Sequence, residues 1–284
     1  SAASDVYKRQ IVICPDYVGP MICHSKKIVV IHDNLFWKYP KNYPRIWRNY
    51  YTKLIQLGLD SKTTIVTTSN YSKKGLEQVF KKNKIYPVYQ SSESFSFPKN
   101  YNNVRKYILH IGTFEKRKNL LTLIKAFKKL KDELKFDYQL VLAGSTYING
   151  DNNVFLKIQK YISEHNLYSS IQMPGYIDKN KALYFYNNSL MYVFPSIDEG
   201  FGIPLIEALK FKVPVICSNI PIFREIADDS VLYFEKQNEI DLFEKMKELI
   251  KSEKLSKNLI SKGFERVKKY NRYNFIKDFE KTFN

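Results

Sequence analysis

The chain has 284 residues, 44% apolar, 26% charged and 15% aromatic, with a mean hydropathy of -0.39 and a formal charge of +18. This excludes a collagenous chain, an acidic disordered tail and a disulfide miniprotein, and leaves enough apolar material for two ordinary domains or one large one. The positive excess points first to a polyanion, either nucleic acid or an anionic membrane surface, against the plainer reading of a Lys- and Asn-rich surface that is merely solvated.

In chain order, Ser1–Gln10 is polar, carries no signal-peptide pattern and matches nothing in the rhythm that follows, so residues 1–10 read as a non-native tail. Ile11–Cys14, Lys27–His32 and Thr64–Thr68 read as strands, and Tyr43–Leu57 and Lys73–Lys81 as helices. Together they make part of an α/β domain over residues 11–90. Val88–Lys106 is rich in Ser, Asn and Pro, which places a linker at residues 91–106.

From Tyr107 the alternation is clear. Strand candidates are Tyr107–Ile111, Tyr138–Ala143, Ile171–Met173, Leu190–Phe194, Pro214–Cys217 and Val231–Phe234. Helical patterns lie at Leu120–Leu134, Val154–Asn166, Lys179–Asn188, Pro204–Leu209 and Ile240–Lys251, the first with Leu120, Leu123, Ile124, Phe127 and Leu130 at helical spacing. Strand–helix alternation predicts a mostly parallel, doubly wound, Rossmann-like domain over residues 107–270. Leu255–Phe283 reads as two more helices, the last of them, in residues 271–284, expected to pack back on the N-terminal domain.

Cys14, Cys23 and Cys217 form an odd set with no C-x-x-C, which predicts a reducing compartment. No apolar run approaches the ~20 residues of a membrane span. Residues 1–100 carry 16 Lys and Arg against 6 Asp and Glu, so the first third is the most basic part.

Two segments carry chemistry. Pro195–Ala208 follows a strand and opens a helix. Gly200 and Gly202 let backbone pass close to a ligand, Pro204 suits a first helical turn, and the helix start offers N–H groups and a positive dipole end to an anion. Glu199 and Glu207 can accept hydrogen bonds from hydroxyls. Gly112–Asn119 also joins a strand to a helix, and its Arg117 and Lys118 can neutralise phosphates. Either segment alone reads equally as an ordinary loop. Both fall at carboxyl ends of strands, where open α/β sheets bind ligands.

Residues Tyr107 to about Tyr270 resemble the nucleotide-sugar-binding domain of retaining glycosyltransferases of the GT-B type, family 4. The matching residues are Gly112 with Arg117-Lys118-Asn119, Leu140–Gly144, Pro174-Gly175-Tyr176, Phe194-Pro195-Ser196, Glu199-Gly200-Phe201-Gly202 through Glu207, Pro214-Val215-Ile216 and Glu225-Ile226-Ala227. Upstream, Ile31-His32-Asp33 and Thr67–Lys73 resemble segments of the family's N-terminal domain more weakly. The resemblance implies two Rossmann-like domains with a cleft between them. Its opening strand and Gly-rich loop have no counterpart here, so the N-terminal domain is expected to be incomplete and the chain truncated.

The resemblance implies that Arg117 and Lys118 clamp the donor diphosphate and stabilise the leaving group. It places Glu207 on the ribose hydroxyls, Glu199 on the transferred sugar and His32 at the reaction centre. Gly112, Thr113, Gly200, Phe201, Gly202 and Ile203 would complete the donor site. Thr113 stands where many relatives carry Arg, which shifts the phosphate load to Arg117 and Lys118. No D-x-D occurs, and neither metal nor another cofactor is expected; the nucleotide-sugar is a co-substrate.

The expected activity is retaining transfer of a hexosyl unit from GDP-mannose or a UDP-sugar to a saccharide or lipid-linked acceptor, in cell-surface polysaccharide synthesis. Related readings are a GT-B enzyme acting on a disaccharide, a phosphorylase, or a truncated fragment that binds nucleotide-sugar without turnover. A basic module binding nucleic acid or membrane is the reading from another class. No RNP-like, KH-like or zinc signature supports nucleic acid. A cytoplasmic location is expected, with peripheral contact to anionic lipid through Phe36, Trp37, Tyr39, Trp47, Tyr50 and Tyr51, interleaved with Lys38, Lys41, Arg45, Arg48 and Lys53.

Overall fold

The computed structural model describes residues 11–91, 107–134, 137–147 and 152–283. The expected tail at residues 1–10 and most of the expected linker lie outside these. The described residues fall into two compact units. Of the described residues, one takes 11–91, Glu199–Phe201 and 270–283; the other takes those between 107 and 198 and between 202 and 269.

The first unit is built on four parallel strands in sequence order, β1 (Ile11–Cys14), β2 (Lys26–Val30), β3 (Thr64–Thr67) and β4 (Lys84–Pro87). Helices α1 (Leu35–Lys38) and α2 (Arg45–Leu57) lead from β2 to β3, and α3 (Asn70–Val79) from β3 to β4. Successive strand residues face opposite sides. Val29 and Ile65 therefore pack with Ile55, Leu76 and Phe80 on one face, and Ile28 and Val66 with Val88 on the other. The second face is covered by Phe275 and Phe279 of the final helix. Val88 continues the strand line after β4: its N–H donates to the Thr67 carbonyl and its side chain is buried.

The second unit is a six-stranded parallel sheet of β5 (Tyr107–Ile111), β6 (Gln139–Ala143), β7 (Ile171–Gly175), β8 (Ser189–Phe194), β9 (Val215–Ser218) and β10 (Leu232–Phe234). Its helices are α4 (Leu120–Leu134), α5 (Asn153–Glu164), α6 (Lys179–Asn187), α7 (Ile203–Lys210), α8 (Pro221–Ala227), α9 (Glu239–Lys251) and α10 (Glu253–Val267); α11 (Arg272–Glu280) is the final helix already placed in the first unit. Its central strands are apolar on both faces, as a parallel sheet covered by helices requires. The strand order is β10-β9-β8-β5-β6-β7. The chain runs outward from β5 to β7, crosses back to β8, and runs outward the other way. The order therefore reverses between β5 and β8, the switch point at which such sheets open a crevice at their carboxyl ends. Among the described residues, no helix is long and apolar enough to cross a membrane.

Candidate active site

The two segments singled out in the sequence leave the sheet from the strands that flank this switch point, Gly112–Asn119 from β5 and Pro195–Gly202 from β8. Glycines bring the strand ends together. The Gly112 N–H donates to Ala143 and the Gly144 N–H to Gly175, both at 2.8 Å. Gly144 has φ +150° and Gly175 φ +73°. A β-carbon on Gly112 would stand 2.9 Å from His110 Nε2. The strand-end glycines at 112, 144 and 175, which belong to different motifs in the sequence, thus form one row.

The loop after β5 turns through a short 3-10 segment at Lys116–Lys118 and closes on Asn119, which is left-handed. Thr113 donates its hydroxyl to Glu115 Oε1 at 2.7 Å, and Arg117 Nη2 pairs with Glu115 Oε2 at 3.3 Å. The same guanidinium donates from Nη1 to the Asp198 carbonyl at 3.0 Å, and the Arg117 carbonyl accepts from the Ile197 N–H at 2.9 Å. Asn119 Nδ2 adds a bond to the Pro195 carbonyl at 3.2 Å. Arg117 therefore laces the loop after β5 to the start of the loop after β8. Lys118, 8% exposed, lies with its ammonium 5.2 Å from the centre of the Phe194 ring, the last residue of β8. Both expected phosphate ligands are thus held at the switch point.

Helix α7 starts from Gly202, whose φ of +101° no L side chain adopts without strain and whose missing β-carbon leaves room for Phe223 and Phe194. Ile203 is the first helical residue and Pro204 the second. Pro has no N–H to leave unsatisfied there, the Leu205 N–H donates back to the Gly202 carbonyl at 3.0 Å, and the dipole makes this helix start an anion-favouring end. One turn on, Glu207 accepts a hydrogen bond at Oε2 from the Tyr186 hydroxyl, 3.0 Å away. Burial pushes the Tyr186 phenol well above its ordinary range, with Tyr192 and Glu207 adding to the shift, so it remains a donor. Burial likewise lowers Lys210, against the opposing pull of Glu207.

Glu199, Gly200 and Phe201 group with the first unit. The Gly200 carbonyl accepts from the hydroxyls of Ser69 at 2.8 Å, Thr68 at 3.0 Å and Ser72 at 3.1 Å. A β-carbon at this position would lie 3.0 Å from Asp33 Cβ, so any other residue would have to push Asp33 aside. Phe201 is buried against Tyr89 and Tyr270, so its ring is a packing element; Glu199 is also buried. His32, in the same unit, is partly exposed; its ring meets Tyr17 edge-on and its Nε2 lies 3.8 Å from Asp16 Oδ1.

Three residues of these networks had no role in the sequence reading. Glu115 and Asp198 stood inside the quoted segments, where spacing gives no hint of a brace. Tyr186 lies on α6, outside every motif, and only tertiary packing brings it to Glu207.

The family described as "Glycosyl transferases group 1" matches residues 91–266. The chain is 27% identical over 230 residues to the O-antigen chain mannosyltransferase B of Escherichia coli, covering 76% of this chain and 59% of that protein. It is 26% identical over 213 residues to the O-antigen chain mannosyltransferase RfbU of Salmonella typhimurium, covering 74% and 57%. The chain thus matches less than two thirds of the length of these relatives. Among solved structures, sucrose-phosphate synthase from Thermosynechococcus elongatus superposes with a TM-score of 0.79 at 19% identity, covering 99% of this chain and 74% of that one.

Proposed function

This chain belongs to the glycosyl transferases group 1 family, and from that premise we propose that it moves a hexosyl unit from a nucleotide-diphosphate sugar to a saccharide or lipid-linked acceptor in cell-surface polysaccharide synthesis. The fold is GT-B, the class expected from the resemblance. The observation that carries the proposal is that Arg117, Lys118 and the start of α7 converge at the switch point between β5 and β8. Two cations and a helix N-terminus together suit a diphosphate better than they suit a polyanion, which needs a long basic track. The curated relatives are named as O-antigen mannosyltransferases, which favours GDP-mannose over a UDP-sugar as donor.

In the proposed reaction the acceptor hydroxyl attacks the anomeric carbon from the face the leaving group departs. The bond from that carbon to the diphosphate oxygen breaks, and the acceptor proton passes to the departing phosphate, so configuration is retained. Lys118 and Arg117 stabilise the charge that develops on the diphosphate, and Glu207 holds the ribose hydroxyls. Glu199 meets the transferred sugar and His32 orients sugar or acceptor. With the leaving-group charge carried by side chains and a helix dipole, no metal is required.

The test is a screen of GDP-, UDP- and ADP-sugars for release of free nucleoside diphosphate, with and without a chelator. Turnover of one donor that survives the chelator is expected. Calorimetry should show Lys118→Ala and Glu207→Ala each weakening diphosphate binding by about tenfold or more. Unchanged binding in both would remove these residues from the site.

Peripheral contact with anionic lipid is part of the proposal. Ile46, Tyr50 and Leu57 lie exposed on α2, opposite its buried Ile55, and Leu35–Leu57 holds Lys38, Lys41, Arg45, Arg48 and Lys53 with no acidic residue. Co-sedimentation with phosphatidylglycerol vesicles, and its loss with phosphatidylcholine alone, is the expected result; equal binding to both would count against it.

A further inference from the structure

Tyr186 has no part in the reaction as proposed, yet it is one of the most deeply placed polar side chains near that site. It is 1% exposed, and its ring lies parallel to Phe211, with centroids 5.5 Å apart and planes 6° apart. Tyr192 closes the other approach at 5.8 Å. Two neighbouring rings thus confine this buried side chain. A phenol has a single proton to give. Its two acceptors are Glu207 Oε2 at 3.0 Å and the Pro204 carbonyl at 3.3 Å, and the nearer, charged oxygen makes the stronger bond.

The consequence falls on Glu207. A glutamate has three rotatable bonds and loses rotamer freedom when it grips a ligand. One carboxylate oxygen anchored to a rigid phenol fixes the plane of the carboxylate before any ligand arrives. A fixed plane suits recognition of two neighbouring hydroxyls, whose separation and direction are set by the sugar ring. Binding is then spared part of the cost of ordering the side chain.

We propose that Tyr186 is a positioning residue: it holds Glu207 in the rotamer that meets the 2′- and 3′-hydroxyls of the nucleoside diphosphate, and thereby sets the preference of the site for ribose over deoxyribose. This rests on the reading of Glu207 as the ribose ligand.

Calorimetric titration with GDP and UDP, each beside its 2′,3′-dideoxy analogue, tests it. Tyr186→Phe keeps the ring and its stack and removes only the hydroxyl. The expected result is a drop of about five- to tenfold in the preference for the ribose form, with affinity for the dideoxy form unchanged. In a Glu207→Ala background the same substitution should have no further effect. Because the readout is a ratio within one variant, partial destabilisation does not mask it. Equal weakening of both forms, or an unchanged preference, would overturn the role of Tyr186 while leaving Glu207 in place. Should Glu207→Ala itself retain the ribose preference, the ribose assignment falls and the role of Tyr186 falls with it.

Discussion

At the end of β6, Gly144 holds a φ of +150°, and the carbonyl of Gly112 occupies the space a β-carbon would need. Backbone stands against backbone there, so neither neighbour can give way as a flexible side chain would. Gly144→Ala is expected to cost about 2 kcal/mol or more. Urea unfolding followed by circular dichroism measures it, and a change within about 0.5 kcal/mol would show that the two strand ends can part. Charge is balanced as locally at Lys27. Its buried ammonium pairs with Asp60 Oδ2 at 2.8 Å and donates to the carbonyls of Gly58 at 3.0 Å and Pro20 at 3.3 Å. The hydrogen bond from Lys27, with smaller help from Thr63, holds the Asp60 carboxyl below its ordinary range. A depressed folded-state pKa stabilises the fold above the unfolded value, about 3.9, and that contribution is lost as pH falls through the folded value. Asp60→Asn should therefore destabilise at pH 7 and do so less at an acid pH where the folded carboxyl has taken up its proton. Equal losses at both pH values would mean that packing, not the ion pair, is at stake.

Helix α3 shows how a single residue serves both an element and its surroundings. The Ser69 side chain accepts the Ser72 N–H at 3.0 Å, capping the helix, and donates its own proton to the Gly200 carbonyl at 2.8 Å. Ser69→Ala removes both bonds and is expected to cost about 1–2 kcal/mol, read from the denaturation midpoint. Ser69→Asp keeps the cap and loses the donor, so a full recovery with Asp would assign the whole effect to the cap. The cap also explains why α3 begins at Asn70, ahead of the Lys73 start read from its apolar spacing. Helix α4, by contrast, has the bounds read from the sequence, because Leu120, Leu123, Ile124, Phe127 and Leu130 mark a continuous buried stripe. Short elements leave no such period. Strand β4 has only Ile85 and Tyr86 to show among lysines, and α1 and α8 are four and seven residues long. The loops of the candidate site were legible because a helix start after a strand needs glycine, proline and charge at fixed offsets. Tyr186 was not, because its partner is 21 residues away and the pairing exists only once α6 and α7 have packed.

Across the whole molecule the charge of +18 separates two kinds of anion binding. A polyanion such as an oligonucleotide would lie across many dispersed lysines and release many counterions, so its affinity should fall by about a thousandfold or more between roughly 50 and 200 mM salt. A nucleoside diphosphate held by Arg117, Lys118 and the start of α7 meets few cations. Lys118 is also largely removed from water, where salt screens least. Its affinity should fall by no more than about tenfold over the same range. Paired titrations with an oligonucleotide and with GDP or UDP, at matched salt, measure the two slopes. Parallel slopes would mean that the diphosphate is held by the general positive surface, and the switch-point site would then have no claim to it. Diverging slopes would leave the basic surface with a separate and weaker partner, for which the acid-free stretch from Leu35 to Leu57 is the natural place.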